Sequence, residues 1–383
     1  MKTLALGGAP ALAQLPLSRT EEAWNDTAAA FLDSESSERR ALTPLLEAVC
    51  GLSPQGLEAG LGAILGGVQQ IQAREIFRQA EEAPAGDSSP LLVILAGNLP
   101  ALAVQPLLPA LATGRPILLK SSSSEPFFAA AFAAALASRE PLLGHAMAAM
   151  TWPGGQSSLE EVALEGCGKV IAYGEADTMA DLRRRSKAPL VCLGPRLSIA
   201  VLGPGSDPKR VAPGLARDIA LFDQRGCLSI QAIFTTGSAT ELAENLAKSL
   251  GEAARSWPPG AVSLTESASV RQVRTEAQMR GLICYHLDSR EGSVIIEPEA
   301  SLLPSPGLRT VRVYPLADLA DLPSLLSPWR DRLQGVALSG EVSDGLKTTL
   351  TKLGVSHFAA PGKLQQPEAS WRNGGLHPLE MVS

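Results

Sequence analysis

Short apolar runs alternate with helix-like segments in the middle of this chain, and this alternation constrains the possible folds most strongly. Apolar runs of strand length occupy residues 91–96, 117–119 and 190–193, and a further run covers residues 169–173. Segments of helical character lie between them, among them an alanine-rich stretch at residues 126–138. Strands that are apolar on both faces and alternate with helices are typical of a parallel sheet covered on both sides. The sequence therefore predicts an α/β fold.

A second α/β unit is expected after residues 203–208, where glycine and proline cluster. Beyond this segment, apolar residues recur at helical spacing over residues 211–219, and a strand is predicted at residues 228–235. With 383 residues, the chain is long enough for two to three domains. We therefore predict three parts: a first domain with N-terminal helices at residues 1–203, a second domain at residues 204–354 and a C-terminal tail at residues 355–383.

The charge balance argues against two classes of partner. The chain has 33 Lys and Arg against 39 Asp and Glu, a formal net charge of −6, and no basic block. Nucleic acid and anionic lipid are therefore not expected partners. Residues 91–114 carry no charge, but Asn98, Gln105 and three prolines interrupt them, so we predict a strand, a turn and a helix there and no membrane span.

The cysteines are sparse and form no CxxC pair; they stand at positions 50, 167, 192, 227 and 284. With only four histidines, the chain offers no metal-ligand pattern, and we expect no metal site. An odd, scattered set of cysteines indicates reduced thiols, and a cytoplasmic location is the expectation.

Cys227 is the first candidate for chemistry. It follows Gly226 at the junction of a predicted helix and a predicted strand, where free backbone N–H groups would lower a thiol pKa and stabilise an oxyanion. Free cysteines are also often simply buried, and the patterns around Cys50, Cys192 and Cys284 fit that interpretation. Cys167, between two glycines, is the rival nucleophile. Both readings of Cys227 stay open at this point.

Three further features stand at predicted strand ends, where ligands bind to parallel sheets. Asn98 follows Gly97 and either faces a ligand or caps the next helix. Lys120 precedes four serines and either binds ribose hydroxyls or a phosphate, or begins a solvated loop. Gly174 directly precedes a predicted helix, a place suited to a pyrophosphate but also to an ordinary turn.

The order of these features resembles the aldehyde dehydrogenase superfamily, and more narrowly the LuxC-type acyl-CoA reductases of bacterial bioluminescence systems. No GxGxxG, Walker A, GxSxG or HExxH motif is present. The resemblance rests on four segments of the sequence: residues 97–100, 117–122, 222–231 and 361–374. It implies an aldehyde dehydrogenase-like fold, with a parallel-sheet NAD(P)-binding domain and a second, catalytic α/β domain.

The resemblance also implies a role for each candidate residue. Cys227 would attack an acyl thioester, and Asn98 with the Cys227 backbone N–H would form the oxyanion hole. Lys120 would contact the adenosine ribose or its 2′-phosphate with Ser123 beside it, and the turn at Gly174 would pass the pyrophosphate. NAD-preferring family members carry a Glu where Ser123 falls, so NADPH is expected in preference to NADH.

The sequence departs from aldehyde-oxidising relatives at one important place. Those relatives carry a Glu general base in a segment that matches residues 193–198, and this chain has no Glu there. Hydrolysis of an acyl-enzyme needs such a base, so its absence fits a reductase. The usual ribose-binding Glu is likewise not evident near residues 306–313.

The resemblance points to an NADPH-dependent reductase of acyl-CoA or of an acyl-carrier substrate. An acyl-activating synthetase is a candidate partner, and we expect a homodimer or a larger homo-oligomer. The C-terminal tail is expected to be loop-like and to pack back near the active site, with His357 and His377 as candidate helpers or as surface histidines.

Two alternatives remain open at the level of the sequence. An acyl-phosphate reductase of the same superfamily would need cationic groups near Cys227, and Arg225 is the one cation close to it in the sequence. A non-catalytic nucleotide-binding scaffold subunit is the other alternative, against which the joint presence of Asn98 and Cys227 argues.

Overall fold

The fold is described from a computed structural model that covers residue 1 and residues 4–83, 87–154, 157–286 and 291–383, with residues 5, 6 and 157 by their backbone alone. Contacts divide the chain into two units. The first consists of Met1–Cys50, Leu61–Pro195 and Glu368–Ser383, and the second of Gly51–Gly60 and Arg196–Pro367. The chain thus leaves the first unit between Pro195 and Arg196, before the predicted boundary after residue 203. The cause is a strand directly after Arg196 that pairs within the second unit.

The first sheet lies in the first unit and is parallel throughout. Its strands run in the order β3-β2-β1-β4-β5. Their bounds are β1 Leu91–Ile94, β2 Ile117–Ser121, β3 Met147–Thr151, β4 Lys169–Tyr173 and β5 Leu190–Leu193. The sequence did not predict β3, because its Met and Ala residues have no strong strand preference and this edge strand is only partly buried.

The second sheet lies in the second unit and is parallel except for the antiparallel pair β8–β9 at one edge. Its order is β12-β11-β6-β7-β10-β9-β8. The strands are β6 Leu197–Leu202, β7 Ile230–Thr235, β8 Cys284–His286, β9 Ser293–Ile296, β10 Thr310–Pro315, β11 Leu333–Ser339 and β12 His357–Ala359. Two parallel sheets in alternating α/β units confirm the predicted fold class.

Helices alternate with these strands along the chain, and short 3₁₀ turns add to them at Leu221–Gln224, Leu319–Asp321, Ser327–Trp329 and Asn373–Gly375. A short π-helical turn covers Leu4–Gly8. The α-helices are α1 Ala9–Gln14, α2 Leu17–Leu32, α3 Ser37–Val49, α4 Pro54–Gly66, α5 Ile71–Glu82, α6 Val104–Ala112, α7 Phe128–Arg139, α8 Leu143–Ala146, α9 Ser157–Glu165, α10 Ala176–Arg185, α11 Pro208–Ala220, α12 Ala239–Ser256, α13 Leu264–Met279, α14 Leu322–Leu326, α15 Asp344–Lys352 and α16 Pro378–Val382.

The uncharged residues 91–114 form strand β1, a turn and helix α6, as the interrupting polar and proline residues predict. Across the described ranges, every helix is too short or too polar to cross a lipid bilayer. Most of β1 and α6 is buried instead in the core of the first unit.

The C-terminal tail is more ordered than the predicted loop. Its first part contributes β12, which pairs in parallel with β11 at the edge of the second sheet. Its last part forms helix α16, whose carbonyl groups at Glu380 and Val382 accept hydrogen bonds from Lys169 and Arg115 of the first unit. The prediction of a loop was therefore wrong at both places, since apolar Phe358 and Val382 pack as parts of regular elements.

Candidate active site

Cys227 lies on an irregular segment of the second unit, between the 3₁₀ turn Leu221–Gln224 and strand β7. Three consecutive residues of the turn, Phe222, Asp223 and Gln224, have positive φ angles of 57°, 50° and 64°. Residues other than glycine pay an energetic cost of order 1–3 kcal/mol in such a conformation. The segment must therefore be held by its surroundings.

Two side chains of the turn lock it to distant parts of the second unit. Buried Asp223 accepts hydrogen bonds from Arg309 Nε at 2.9 Å and from the Gly260 N–H at 2.9 Å. The Gln224 amide bonds in both directions with Thr310: its oxygen accepts from the N–H at 2.8 Å, and its nitrogen donates to the carbonyl at 2.9 Å. These buried bonds offset the strain of the positive φ angles.

Two further contacts fix the segment on the Cys227 side. The Ser198 hydroxyl of β6 donates to the Cys227 carbonyl at 2.8 Å and accepts from the Gly335 N–H at 3.0 Å. The Gln365 side-chain nitrogen lies 3.0 Å from the Ser229 hydroxyl and 3.2 Å from the Leu221 carbonyl. Both ends of the Cys227 segment are therefore tied to other elements of the second unit.

Gln365 is itself held by Asp218 of helix α11. The Asp218 carboxylate accepts hydrogen bonds from the N–H groups of Gly362 at 2.7 Å and Leu364 at 3.2 Å. Gln365 donates to the Asp218 carbonyl at 2.8 Å. Burial raises the Asp218 pKa to about 7, against the opposing effect of these N–H donors. Residues 361–367 of the tail thus contact the element that leads into the Cys227 segment.

The surroundings of the Cys227 sulfur act in opposite directions on its ionisation. Burial raises the thiol pKa to about 11. Hydrogen bonds from the backbone N–H groups of Cys227 and Leu228 and the charge of Arg196 act the other way and favour the thiolate. The net shift is upward, so the thiol is the prevailing form near neutral pH, and the predicted lowering of the Cys227 pKa was wrong because burial outweighs the donors and the cation.

Arg196 was missed by the sequence reasoning, which named Arg225 as the nearby cation. In the structure the Arg225 side chain binds other groups: its Nη2 donates to the Ala261 carbonyl at 2.9 Å and lies 3.5 Å from Glu266. Arg196 stands just before β6, two residues ahead of Ser198, and parallel pairing brings it to Cys227. Only the strand pairing could have revealed this neighbour.

The rival Cys167 has a different environment in the first unit. Its thiol donates to the Leu164 carbonyl at 3.3 Å, and burial raises its pKa to about 11 as well. The pKa shifts do not separate the two cysteines; what differs is the strained, multiply anchored backbone at Cys227. In the described ranges, no group of three or more His, Cys, Asp or Glu residues is placed to hold a metal ion.

The remaining candidates lie at the carboxyl edge of the first sheet. Strand β1 has β2 on one side and β4 on the other, so the connections leave in opposite directions at this point, where open α/β sheets bind ligands. Gly97 after β1 packs directly on the serine loop after β2: a Cβ there would lie 1.9 Å from Ser124 Oγ and 2.7 Å from Ser122 Oγ. A larger residue at position 97 would require the serine side chains to move, and this close approach brings the two predicted features together.

Asn98 is exposed in the turn after β1 and does not cap a helix. Helix α6 begins only at Val104, with Ala103 at the N-cap position. Ala101, between them, has a positive φ of 61°, so the chain bends before the helix starts. The helix-cap interpretation of Asn98 is therefore wrong.

Lys120 is nearly buried at the end of β2, with its ammonium group 5.9 Å from the ring centre of Trp152. Trp152 follows the neighbouring strand β3, and the pair forms a cation–π contact. Burial lowers the Lys120 pKa, and Glu160 opposes this shift. A cation is thus built into the carboxyl edge of the sheet.

Ser123 is exposed in the loop after Lys120, between Ser122 and Ser124, whose hydroxyls are 2.9 Å apart. The acidic residue of this loop is buried Glu125, which accepts hydrogen bonds from Phe127 N–H at 2.9 Å and from Phe128 N–H at 2.8 Å. Its carboxylate caps the start of α7 and is turned inward. The side chain that this loop exposes at position 123 is a neutral serine.

Gly174 forms the turn between β4 and α10. An added Cβ would meet Met179 Cε at 3.4 Å, an ordinary contact, so the space at this turn does not by itself demand glycine. Glu175 at the N-cap position makes no side-chain capping bond, and the first N–H groups of α10 are available to an anion.

The candidate histidines lie on different elements. His377 caps α16, where its Nδ1 accepts from the Leu379 N–H at 3.3 Å, and burial lowers its pKa. This capping role accounts for His377. His357 stands on β12, paired in register with Gly335 of β11.

Comparison with known proteins gives one family over most of the chain. Residues 33–383 match the family described as acyl-CoA reductase (LuxC). A long-chain acyl-protein thioester reductase of Aliivibrio fischeri is 27% identical over 296 residues, covering 76% of this chain and 61% of that protein. A protein of the same description from Vibrio harveyi is 29% identical over 212 residues, covering 54% of this chain and 42% of that protein. The chain thus spans less than two thirds of the length of these relatives.

Solved structures with the same fold are more distant in sequence. Methylmalonate-semialdehyde dehydrogenase from Oceanimonas doudoroffii superposes with a TM-score of 0.78 at 14% identity, covering 100% of this chain and 87% of that one. The NADP complex of glyceraldehyde-3-phosphate dehydrogenase GapN from Methanocaldococcus jannaschii gives a TM-score of 0.74 at 12% identity, covering 98% and 87%. The predicted aldehyde dehydrogenase-like fold is confirmed.

Proposed function

Because the chain belongs to the LuxC family of acyl-CoA reductases, we propose that it reduces an acyl thioester to an aldehyde through an acyl-enzyme on Cys227. The observation that carries this proposal is the environment of the Cys227 sulfur. Two backbone N–H groups and the Arg196 guanidinium oppose the rise in thiol pKa that burial causes. An acyl-transfer nucleophile needs such groups, because the thiolate and not the thiol attacks.

The acyl-transfer step balances without further reactants. The Cys227 thiolate attacks the acyl carbon, a new S–C bond forms, and the S–C bond to the donor thiol breaks. The donor thiol leaves with the proton that Cys227 gave up, so the products are an acyl-Cys227 thioester and a free thiol. The N–H groups of Cys227 and Leu228, which face the sulfur, are placed to stabilise the oxyanion that develops beside it.

Asn98 keeps the role of second oxyanion donor that the family resemblance implies. Its exposed position in a bent turn, with the helix-cap role excluded, supports a function at the carboxyl edge of the first sheet. Side-chain amides are suitable oxyanion donors because they are neutral and their N–H groups have fixed directions.

The carboxyl edge of the first sheet fits a nicotinamide dinucleotide. Lys120 offers a cation, the exposed Ser123 offers a neutral hydroxyl, and the turn at Gly174 leads into uncapped N–H groups of α10 suited to a pyrophosphate. When bound, the reduced cofactor supplies the hydride that converts the acyl-Cys227 thioester to an aldehyde. The solved relative from Methanocaldococcus jannaschii is described with NADP.

We propose NADPH in preference to NADH on the charge of this loop. An acidic side chain beside the adenosine ribose would favour two free hydroxyls and repel a 2′-phosphate. The carboxylate in this loop, Glu125, is buried and used as a helix cap. Lys120 with neutral Ser123 therefore leaves room for the 2′-phosphate and a charge to bind it.

By the family resemblance, residues 193–198 match the segment that carries the general base of aldehyde-oxidising members; in this chain Arg196 of that segment lies near Cys227. Arginine stays protonated and cannot activate a water molecule. We therefore expect an acyl-Cys227 intermediate to be hydrolysed slowly in comparison with its reduction.

The donor is proposed to be a long-chain acyl thioester of coenzyme A or of a protein, in line with the names of the relatives. An acyl-activating synthetase as partner, a homodimer or larger assembly, and a cytoplasmic location belong to the same proposal. Arg196 also favours a second candidate substrate, an acyl phosphate, since a cation beside the nucleophile suits an anionic leaving group.

The proposal is tested with purified protein, a series of acyl-CoA chain lengths and either NADPH or NADH. We expect acyl-dependent loss of reduced-cofactor absorbance with one aldehyde formed per cofactor oxidised, faster with NADPH. A parallel arm replaces acyl-CoA by acyl phosphate. Cofactor oxidation with acyl phosphate alone would assign the second candidate, and no acyl-dependent oxidation in either arm would overturn both.

A further inference from the structure

A cavity of about 340 Å³ lies in the second unit beside the turn that precedes Cys227. Its walls come from α13, from the loop before α13 and from the turn before β10. Asp223 is part of its wall, so the cavity adjoins the anchored segment but does not include Cys227 among its lining residues. The proposed acyl transfer uses none of the other lining residues.

The cavity is cationic although the chain as a whole is acidic. Arg271, Arg274 and Arg309 line it against one acidic residue, Asp223, a formal excess of two positive charges. Both Asp223 oxygens are engaged, one by Arg309 and the other by the Gly260 N–H. Asp223 pairs with Arg309, so the charges of Arg271 and Arg274 have no carboxylate partner within the wall.

Two of these arginines have donors to spare. Arg309 is 1% exposed and paired with Asp223, so it is closed off from a ligand. Arg274 donates from Nε to the Ser293 hydroxyl at 2.7 Å and from Nη2 to the Gly292 carbonyl at 3.3 Å, and its Nη1 makes no bond among the described residues. Arg271 is exposed on α13 and has no ion pair among the described residues. Guanidinium groups are the preferred partners of phosphate and carboxylate oxygens.

The backbone of this wall is strained and held in place. Gly307, Leu308 and Arg309 have φ angles of 75°, 52° and 59°. The Arg309–Asp223 ion pair at 2.6 Å joins this turn to the strained turn before Cys227. Such a strained backbone persists only where its surroundings hold it in one conformation. The ion pair and the surrounding contacts therefore fix the cationic wall.

The rest of the lining is apolar. Val270 is buried in the wall, and Pro259, Val262 and Leu308 add to the surface. Leu264, on the first turn of α13, is 87% exposed although it lines the cavity. An exposed leucine at the edge of a cavity gains contact when an apolar group enters.

We propose that this cavity is a binding site for an oxyanion carried on an apolar body, with the oxyanion on Arg271 and Arg274 and the body against Val270 and Leu264. The ligand class is a monoalkyl phosphate or a medium-chain carboxylate. The site is separate from acyl transfer at Cys227, and its occupancy does not depend on the proposed activity.

The test is calorimetric titration of the full chain, without cofactor, with octyl phosphate, octanoate and inorganic phosphate. We expect octyl phosphate or octanoate to bind at least about tenfold more tightly than inorganic phosphate, because the octyl chain adds apolar burial. Whichever of octyl phosphate and octanoate binds more tightly shows whether the site prefers a phosphate or a carboxylate. Equal, weak binding of all three would overturn the proposal.

Two variants locate the binding. Arg271→Gln removes an exposed charge and should weaken binding of the preferred ligand about tenfold, while Arg330→Gln, an exposed arginine outside the cavity, serves as the matched control and should leave it unchanged. Ser267→Phe fills the cavity from α13 and should abolish the advantage of the octyl chain. Wild-type affinity in Arg271→Gln, or an equal loss of affinity in Arg330→Gln, would contradict the assignment. Arg271 and Arg330 are both exposed, so we expect both of these variants to fold.

Discussion

Lys120 and Gly174 stand at the ends of regular parallel strands, whereas Cys227 stands on a strained segment between a turn and a strand. The locations of Lys120 and Gly174 at the edge of the sheet follow from strand pairing and from contacts with residues close to them in the sequence. The Cys227 segment is held by Ser198, Thr310 and Gln365, which lie far away in the sequence. Strand ends supply a general ligand-binding edge, while a reactive group with one fixed orientation requires long-range support.

The largest expected effect is at the centre of the supported segment. Cys227→Ser should lower acyl transfer and aldehyde formation by at least about 10³-fold, because a hydroxyl is a far weaker nucleophile than a thiolate. The measurement is kcat with the best acyl donor, together with a thermal melt to establish that the fold is kept.

Cys167→Ser is the matched control for this substitution. Both cysteines are partly buried and both have raised pKa values, so the control isolates the role of the backbone around the thiol. Cys167→Ser should keep wild-type turnover. If Cys167→Ser abolished turnover and Cys227→Ser did not, Cys167 and not Cys227 would be the nucleophile.

At the regular edge, the largest effect is expected for Asn98. Asn98→Ala should lower kcat by about 10²–10³-fold, the usual loss for one oxyanion donor, and leave the Kd for the cofactor nearly unchanged. A thermal melt of the variant shows whether the fold is kept. Wild-type kcat in this variant would remove Asn98 from the catalytic residues.

Lys120→Ala should change cofactor choice rather than the rate of acyl transfer. Loss of the ammonium group should weaken NADPH by about tenfold and NADH much less, since a charge-assisted contact to the 2′-phosphate is lost. The ratio of the two Kd values, measured at one salt concentration, is insensitive to any general loss of stability. A ratio equal to that of the wild type would show that Lys120 does not read the 2′-phosphate.

The smallest effect on turnover, and a distinct effect on stability, is expected for Asp218→Asn. The Asp218 pKa is about 7 in the folded protein and close to 4 in an unfolded chain, so the folded state holds this proton more tightly. The contribution to the free energy of unfolding is therefore full below about pH 4 and is lost as pH rises towards 7, by an amount of order a few kcal/mol.

The Asp218→Asn variant should not lose this stability. The difference in free energy of unfolding between the wild type and the variant should therefore change between pH 4 and pH 7 and level off above pH 7. Denaturant unfolding at several pH values measures it. An identical pH dependence in both proteins would mean that Asp218 does not titrate in this range.

The strand-end residues could be predicted from the sequence because they depend on local patterns. Continuous apolar runs identified β1, β2, β4 and β5, and the residues that follow them fall at one edge as soon as the strands are parallel. The edge strand β3 was missed because its Met and Ala residues do not favour a strand over a helix.

The support of Cys227 could not be predicted in the same way. Positive φ angles at Phe222 and Gln224 have no signature in the sequence, because residues of these types usually avoid that conformation, and Asp223 alone does not predict a run of three. Arg196 and Gln365 meet the Cys227 segment only through strand pairing and the path of the tail. The family resemblance identified Cys227 itself, but not the groups that hold it.

The central claim is that Cys227 carries the acyl group between donor and aldehyde. The direct test is to incubate the protein with a long-chain acyl-CoA in the absence of reduced cofactor, stop the reaction in acid, digest and map the adduct by mass spectrometry. The account predicts one acyl group on the peptide that contains Cys227, lost on addition of NADPH with release of the aldehyde. An acyl group on Cys167 instead, or aldehyde formation from a protein that never carries an acyl group, would contradict it.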